Sequence, residues 1–396
     1  MQISDKAKAI SPSLTLGINA LSSELKAQGK DVVGFGVGEP DFDTPAYIRQ
    51  AAIEAIETGK TRYTPVPGIM ELRQAACERY AHKYGLRFAP AQVVVSNGAK
   101  ECLYNAFQVI LNPGDEVIII SPYWLTYPEQ VKMAGGVPVF VQAKEENDFE
   151  PALADLEKAV SERTRAIIVN NPSNPCGNLY NRHSLEEIAG FAKAHDLYII
   201  SDEIYDELVY GKEAISIATL SEDALERTII INGASKAYAM TGWRIGYMIA
   251  PPAVAKLASS YQGHSTSNAC SISQYATLAA MRGPQEDLEK MVAIFEQRAK
   301  LIYRLINEIP GVSCRMPGGA FYVFVNVEGL YGKKYRDQKV SGSVQFSEVL
   351  LQEKLVAVVP GIAFGADGYI RLSYATSEEN IEKGVSRLRE FCAELE

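Results

Sequence analysis

Between residues 92 and 233 the chain alternates short continuous runs of β-branched residues with longer stretches in which apolar side chains recur every three or four positions. The runs are "QVVVS" (92–96), "DEVIIIS" (115–121), "GVPVFVQ" (136–142), "RAIIVN" (165–170), "LYIISDE" (197–203) and "RTIIING" (227–233). They have strand length and no polar face, the mark of strands buried on both sides in a parallel sheet. The intervening stretches predict covering helices, an amphipathic one over Ala99–Ile110 and others near 151–161 and 184–195. The fold class is therefore α/β, a mostly parallel sheet covered by helices, forming a large domain over residues 45–280.

The pattern changes after residue 281. A long charged helix is predicted from Glu286 to about Ile309, followed by the strand-like "AFYVFVNV" (320–327), a helix near 345–354, "LVAVVP" (355–360), "YIRLSYA" (369–375) and a last helix from about Ser377. This is a smaller α+β unit. Residues 1–30 are too few for a core of their own and are expected to pack on it, so the small domain is 1–44 plus 281–396. The polar segment 328–343 reads as a solvated loop, with a lid over an anionic ligand as the alternative.

Composition narrows the function. The chain has 396 residues and a formal net charge of −9, an acidic balance that argues against nucleic acid as a partner. The longest apolar runs are far short of a membrane span. The first ten residues, "MQISDKAKAI", carry no apolar signal core, so a cytoplasmic protein is expected. Six scattered cysteines without a C-x-x-C pair predict reduced, buried thiols, and the four histidines show no metal spacing, so no metal is expected.

Candidate chemistry lies at the strand ends, where open α/β sheets bind ligands. Four predicted strands run into polar residues: Asn97-Gly98-Ala99-Lys100, "NPSNPCG" (171–177), "DEIY" (202–205) and "NGASK" (232–236). A helix starting at Gly98–Lys100 offers free amides to a phosphate. Ser235 can donate to the same phosphate, and Arg244 can neutralise it with a forked donor. Asp202, at the end of a buried strand, needs a cationic partner such as a protonated ring nitrogen. Asn174 and Tyr205 can hydrogen-bond a phenolate oxygen. Lys236, its pKa lowered by burial and neighbouring positive charge, can form a Schiff base. Pyridoxal 5'-phosphate meets all of these demands at once.

With "VGEPDFDTP" (37–45), "SPYWLTYPE" (121–129), "SDEIYDELVY" (201–210), "NGASKAYAMTGWRIGY" (232–247) and "IRLSYATSEEN" (370–380), the chain resembles, over nearly its whole length, the class I aminotransferases of the fold-type I pyridoxal-phosphate enzymes, nearest the bacterial aspartate-type group. The resemblance implies that Lys236 holds the cofactor and moves the proton, and that Asp202 pairs with the ring nitrogen. It puts Tyr205 and Asn174 at the ring hydroxyl, Trp124 on the ring face, and Ala99, Lys100, Ser235 and Arg244 around the phosphate. Tyr63 would reach the phosphate in a neighbouring subunit, which implies a homodimer with shared sites. Arg371 would bind the substrate α-carboxylate, helped by the backbone at Gly38. The usual "NPTG" reads Asn174-Pro175-Cys176-Gly177 here, with little change of chemistry expected.

The stretch "YQGHSTSNACS" (261–271) contains no arginine to read a distal carboxylate. The resemblance assigns that role to Lys100, with Ser13 and Thr15 also matching the group. An exchange of amino groups between L-aspartate and 2-oxoglutarate is the implied reaction. Prephenate, aromatic or broad-range donors, a carbon–sulfur β-lyase on the same scaffold, and a non-enzymatic regulator are the alternatives.

Overall fold

The computed structural model describes residues 2–11 and 14–396. Ser13 lies outside the described residues, as does the side chain of Thr15. A seven-stranded sheet forms the centre, in the spatial order Val93–Ser96, Gly246–Ile249, Thr228–Gly233, Tyr198–Asp202, Thr164–Asn170, Glu116–Ser121, Val137–Gln142. Gly246–Ile249 is antiparallel to both of its neighbours, and the other pairings are parallel. Alternate residues serve opposite faces. Ile119, Ile168 and Ile200 pack under Leu103 and Phe107 of the helix Ala99–Ile110, whereas Ile118, Ile167 and Ile199 pack under Leu185 and Ile188 of the helix Arg182–Ala194.

Two expectations change. The run "GVPVFVQ" is the edge strand, so it is not buried on both faces: Val137 and Phe140 are 43% and 44% exposed. The strand Gly246–Ile249 was not anticipated, because four residues between Gly and Ala-Pro give too short a period to read.

A second sheet is antiparallel, in the order Val359–Pro360, Tyr369–Ser373, Tyr322–Asn326, Ser313–Cys314. It packs against the helix Glu286–Asn307 through Phe295, Ala299, Ile302 and Ile306. Near the N-terminus, Val33–Gly34 pairs in parallel with Val356–Ala357, and Ile18, Leu21 and Leu25 pack on Leu351 and Ala357. The expected loop 328–343 contains a small hairpin, Lys334–Tyr335 with Gln338–Lys339. It is not simply solvated: Lys334 and Glu396 exchange backbone hydrogen bonds, and the buried Tyr335 ring stacks on Phe391. Five cysteines are buried, but Cys270, just before the helix Ser271–Arg282, is exposed. Among the described residues no helix is long and apolar enough to cross a membrane.

The antiparallel strand sets the geometry of the site edge. Gly246 pairs with both Ser96 and Gly233, and the helix start at Ala99 lies directly over it. A Cβ on Gly246 would fall 2.2 Å from the Ala99 nitrogen and 2.4 Å from the Gly98 carbonyl carbon. Both neighbours are backbone, so neither can step aside cheaply. Gly246→Ala is expected to destabilise the fold by about 1–3 kcal/mol, read as a lowered midpoint in urea denaturation; an unchanged midpoint would contradict the close approach.

Candidate active site

One cavity of about 380 Å³ opens at the carboxyl ends of the parallel strands, lined by Gly38, Ala99, Lys100, Trp124, Asn174, Asp202, Tyr205, Ser235, Lys236, Arg244 and Arg371. Every residue expected at the site from the sequence is in it except Tyr63, which is 91% exposed and off the cavity lining. The convergence has a simple cause. Parallel strands end on one edge, and each loop leaving that edge delivers its first polar residues to the same place. Arg244 joins them because the antiparallel strand begins there.

Asp202 is buried, and loss of solvent pushes its carboxyl up to about 6 despite a hydrogen bond from the Tyr127 hydroxyl at 2.7 Å and one from the Ile204 amide at 3.3 Å. Lys236 is half-buried and donates to the Gly38 carbonyl at 2.5 Å. Desolvation lowers its ammonium to about 8, with the charges of Arg244 and Arg371 acting in the same direction. An amine in that range sheds its proton near neutral pH, which makes it both a nucleophile and a base.

The opposite wall comes from the second sheet. Arg371 is buried, with Nη1 donating to Asn174 Oδ1 and Nη2 to the Gly36 carbonyl, both at 3.0 Å. Its guanidinium lies 4.4 Å from the Tyr322 ring centre and 5.0 Å from that of Phe364, while Nε is buried without a hydrogen-bond partner among the described residues. A cation held this way is preset for a planar anion. Tyr322 also bonds Tyr205, hydroxyl to hydroxyl, at 3.0 Å. Burial holds the Tyr205 phenol well above its ordinary value. Asn174 is fixed in turn, its amide donating to Asn170 Oδ1 at 2.8 Å while Asn170 Nδ2 donates to the Asp202 carbonyl at 3.0 Å.

Across the cavity, the helix Ala99–Ile110 points its amino end inward. Its first amides have no partners within the helix. Gly98 has φ +87°, and a Cβ there would lie 2.5 Å from Nη2 of Arg244. The missing side chain thus lets a guanidinium, a helix amino end and Ser235 share one small space, a cradle for a phosphate dianion. Lys100 is exposed, its ammonium 4.9 Å from the Trp124 ring centre. Partial desolvation lowers its pKa, with Arg244 adding to the effect.

The groups match those of pyridoxal phosphate: a cradle for phosphate, a buried carboxylate for the ring nitrogen, donors for the ring oxygen and an amine for the aldehyde. Sequence reading missed Tyr127, Tyr322 and Asn170. Tyr127 stood inside the quoted "SPYWLTYPE", and its position one helical turn after Trp124 was the available signal. Tyr322 lies mid-strand, where an aromatic reads as core.

Asp202 also carries a pH signature. Its folded pKa of about 6 stands above the ordinary 3.8, so the folded state holds the extra proton between those values and Asp202 costs stability as pH rises through them. A shift of this size corresponds to ~3 kcal/mol. Without cofactor, Asp202→Asn should therefore gain up to ~3 kcal/mol relative to the parent between about pH 4 and pH 7. Urea denaturation across that range checks it; parallel curves for the two proteins would refute the burial argument.

Comparison with known proteins agrees with this geometry. The family "Aminotransferase class I and II" matches residues 30–388. The chain is 46% identical to the aspartate aminotransferase of Bacillus subtilis (strain 168) over 393 residues, 99% of each protein. It is 44% identical to the aspartate/prephenate aminotransferase of Cereibacter sphaeroides over 396 residues, again 99% of each. Among solved structures, the aspartate aminotransferase of Thermus thermophilus with maleate superposes with a TM-score of 0.92 at 42% identity, covering 99% of this chain and all of that one. A family match over almost the entire chain, with full-length relatives close to half identical, makes this protein a member of the class I and II aminotransferases, a pyridoxal-phosphate-dependent enzyme that acts on amino acids and 2-oxo acids.

Proposed function

We propose that the protein moves the amino group of L-aspartate to 2-oxoglutarate, giving oxaloacetate and L-glutamate, in a reversible ping-pong cycle. Arg371, a buried cation preset for an α-carboxylate, carries this reading, with Lys100 on the lining of the same cavity as the receptor for a second carboxylate. The names of the full-length relatives support it. Pyridoxal phosphate, when bound, supplies the electron sink and carries the amino group between the two half-reactions.

The chain's own residues do the rest. Arg371 orients the amino acid by its α-carboxylate, and its fixed position removes the entropy of aligning the α-carbon. Lys236 Nζ would hold the cofactor's aldehyde end and, as a base, would take the proton from the substrate α-carbon. Asp202 would keep the ring nitrogen protonated. Tyr205 and Asn174 would hold the ring oxygen, and Trp124 would cover the ring face. Ala99, Lys100, Ser235 and Arg244 would bind the phosphate. Tyr63 would reach the phosphate of a partner subunit, as its exposure off this chain's cavity would allow, which makes a homodimer the proposed active unit; the cytoplasm is its proposed location. The proposed division into a large domain, 45–280, and a small one, 1–44 plus 281–396, is supported by each of the two larger sheets falling within one part, with residues of both parts lining the cavity. A second reading adds prephenate as an acceptor, favoured by relatives named for both substrates.

Borohydride reduction of the holoenzyme should fix the cofactor on the peptide containing Lys236, seen by mass spectrometry, and Lys236→Ala should lose turnover while remaining folded. Label on another lysine, or normal turnover in the variant, would overturn the mechanism. Lys100→Met should lower kcat/KM for aspartate on the order of 100-fold, a charge-assisted contact's worth, with a far smaller loss for an aromatic donor. Equal losses on both would retire Lys100 as the distal-carboxylate receptor.

A further inference from the structure

Behind the cavity, on the side away from the ligand, the loop that carries Asp202 and Tyr205 is held by residues that no catalytic role explains. Asp202 and Tyr205 face the cavity, whereas Glu203 and Asp206 between and beyond them are buried against the helix Met70–Tyr84. Glu203 Oε1 accepts from the Ser201 and Ser216 hydroxyls at 2.8 and 2.6 Å, and Oε2 accepts from the Tyr80 hydroxyl at 2.8 Å. The same Tyr80 oxygen accepts from Asn232 Nδ2 at 3.1 Å. Asn232 lies four residues before Lys236, on the strand next to the one that ends in Asp202. Its Oδ1 accepts from the Gly233 amide at 2.7 Å. Tyr80 is fully buried, and Glu203 and Asn232 nearly so. One hydroxyl is thus both donor to the residue after Asp202 and acceptor from the strand end that leads to Lys236. Asp206 is held by Arg79 Nη2 at 2.8 and 2.7 Å and the Tyr84 hydroxyl at 3.1 Å, and it also accepts a hydrogen bond from the Asn232 side chain.

We propose that Tyr80 is a positioning residue for amino-group transfer, its hydroxyl holding the Asp202 strand end in register with the strand end that delivers Lys236. This rests on the roles proposed above for those two residues. The backbone ladder between the two strands ends with the Glu203 amide donating to the Ile231 carbonyl at 2.9 Å; beyond it the chain after Asp202 turns away, while Asn232 and Gly233 continue as strand beside Gly246–Ile249. The Tyr80 oxygen spans them after the ladder stops. Asp202 and Lys236 must grip two ends of one rigid molecule, so their separation matters more than either position alone. Arg371 stands on the other sheet and makes no hydrogen bond with Tyr80, Glu203 or Asn232; Asn174 and Asn170 tie it to the Asp202 carbonyl instead.

Tyr80→Phe keeps the ring and removes only the bridging oxygen. For the holoenzyme, kcat is expected to fall on the order of 10-fold, as for a small misplacement of reacting groups, while KM for the amino donor stays within about twofold because the Arg371 clamp is untouched. Equilibrium dialysis of the cofactor-free protein should show weaker pyridoxal phosphate binding by a similar factor, about 10-fold. A kcat and cofactor affinity equal to the parent's would overturn the proposal. So would a loss shared in proportion with KM and abolished when rates are corrected for folded fraction. If Tyr80→Phe does not fold, Asn232→Ala serves: it removes the Nδ2 donor, so the Tyr80 oxygen no longer reaches the strand that leads to Lys236, and the same split between kcat and KM is expected. A parent enzyme without transaminase activity, or one insensitive to Lys236→Ala, would instead refute the underlying assignment of the site, so the two failures are distinguishable.

Discussion

Asp202 and Lys236 sit on neighbouring strand ends with little water around either, and most of the site's construction answers that fact. A carboxylate stripped of solvent drifts toward its protonated form, and an amine toward its free base. Both shifts occur here, Asp202 up to about 6 and Lys236 down to about 8. For the amine the shift is useful, since it readies the nucleophile. For the acid it is a cost, and Tyr127 and the Ile204 amide offset part of it. A cationic ring nitrogen at the remaining edge would offset more, which is why the pocket suits a protonated heterocycle rather than a neutral one.

The same reasoning applies to Arg371. Burial opposes its charge, and its neighbours are two carbonyl-type acceptors and two aromatic rings rather than a carboxylate. A guanidinium without an internal counter-ion retains its demand for an anion, and substrate supplies it. Had an aspartate of the chain stood there, the fold would be more self-sufficient and the site inert. Function is thus stored as incomplete electrostatic compensation, distributed over both sheets so that ligand completes it.

Much of this was legible along the chain. The β-branched runs, the amphipathic periodicity of Ala99–Ile110 and the helix near Glu286 depend on local pattern, because burial on both faces or on one stripe leaves a periodic trace. The polar residues after each run were legible for the same reason: a parallel sheet sends all of them to one edge. The edge strand Val137–Gln142 was misjudged because its composition matches the inner strands, and only neighbour order exposes one side. The strand Gly246–Ile249 was missed because it is short and bounded by glycine and proline-adjacent residues.

By itself, then, the sequence determined the α/β class, the cavity edge and nearly every group lining it, since these follow from residue type and local order. Tertiary structure decided which groups share a hydrogen bond. Tyr80 with Asn232 and Glu203, Tyr127 with Asp202, and Tyr322 with Tyr205 and Arg371 are separated by 75 residues or more in most pairs, and no local period encodes a contact between elements that distant. The hairpin at 334–339 shows the same limit: its polar, glycine-rich chain reads as solvent-facing until its pairing with the last residue, Glu396, is seen. Local pattern reports how much water a residue avoids, whereas long-range packing alone selects the partner that replaces it.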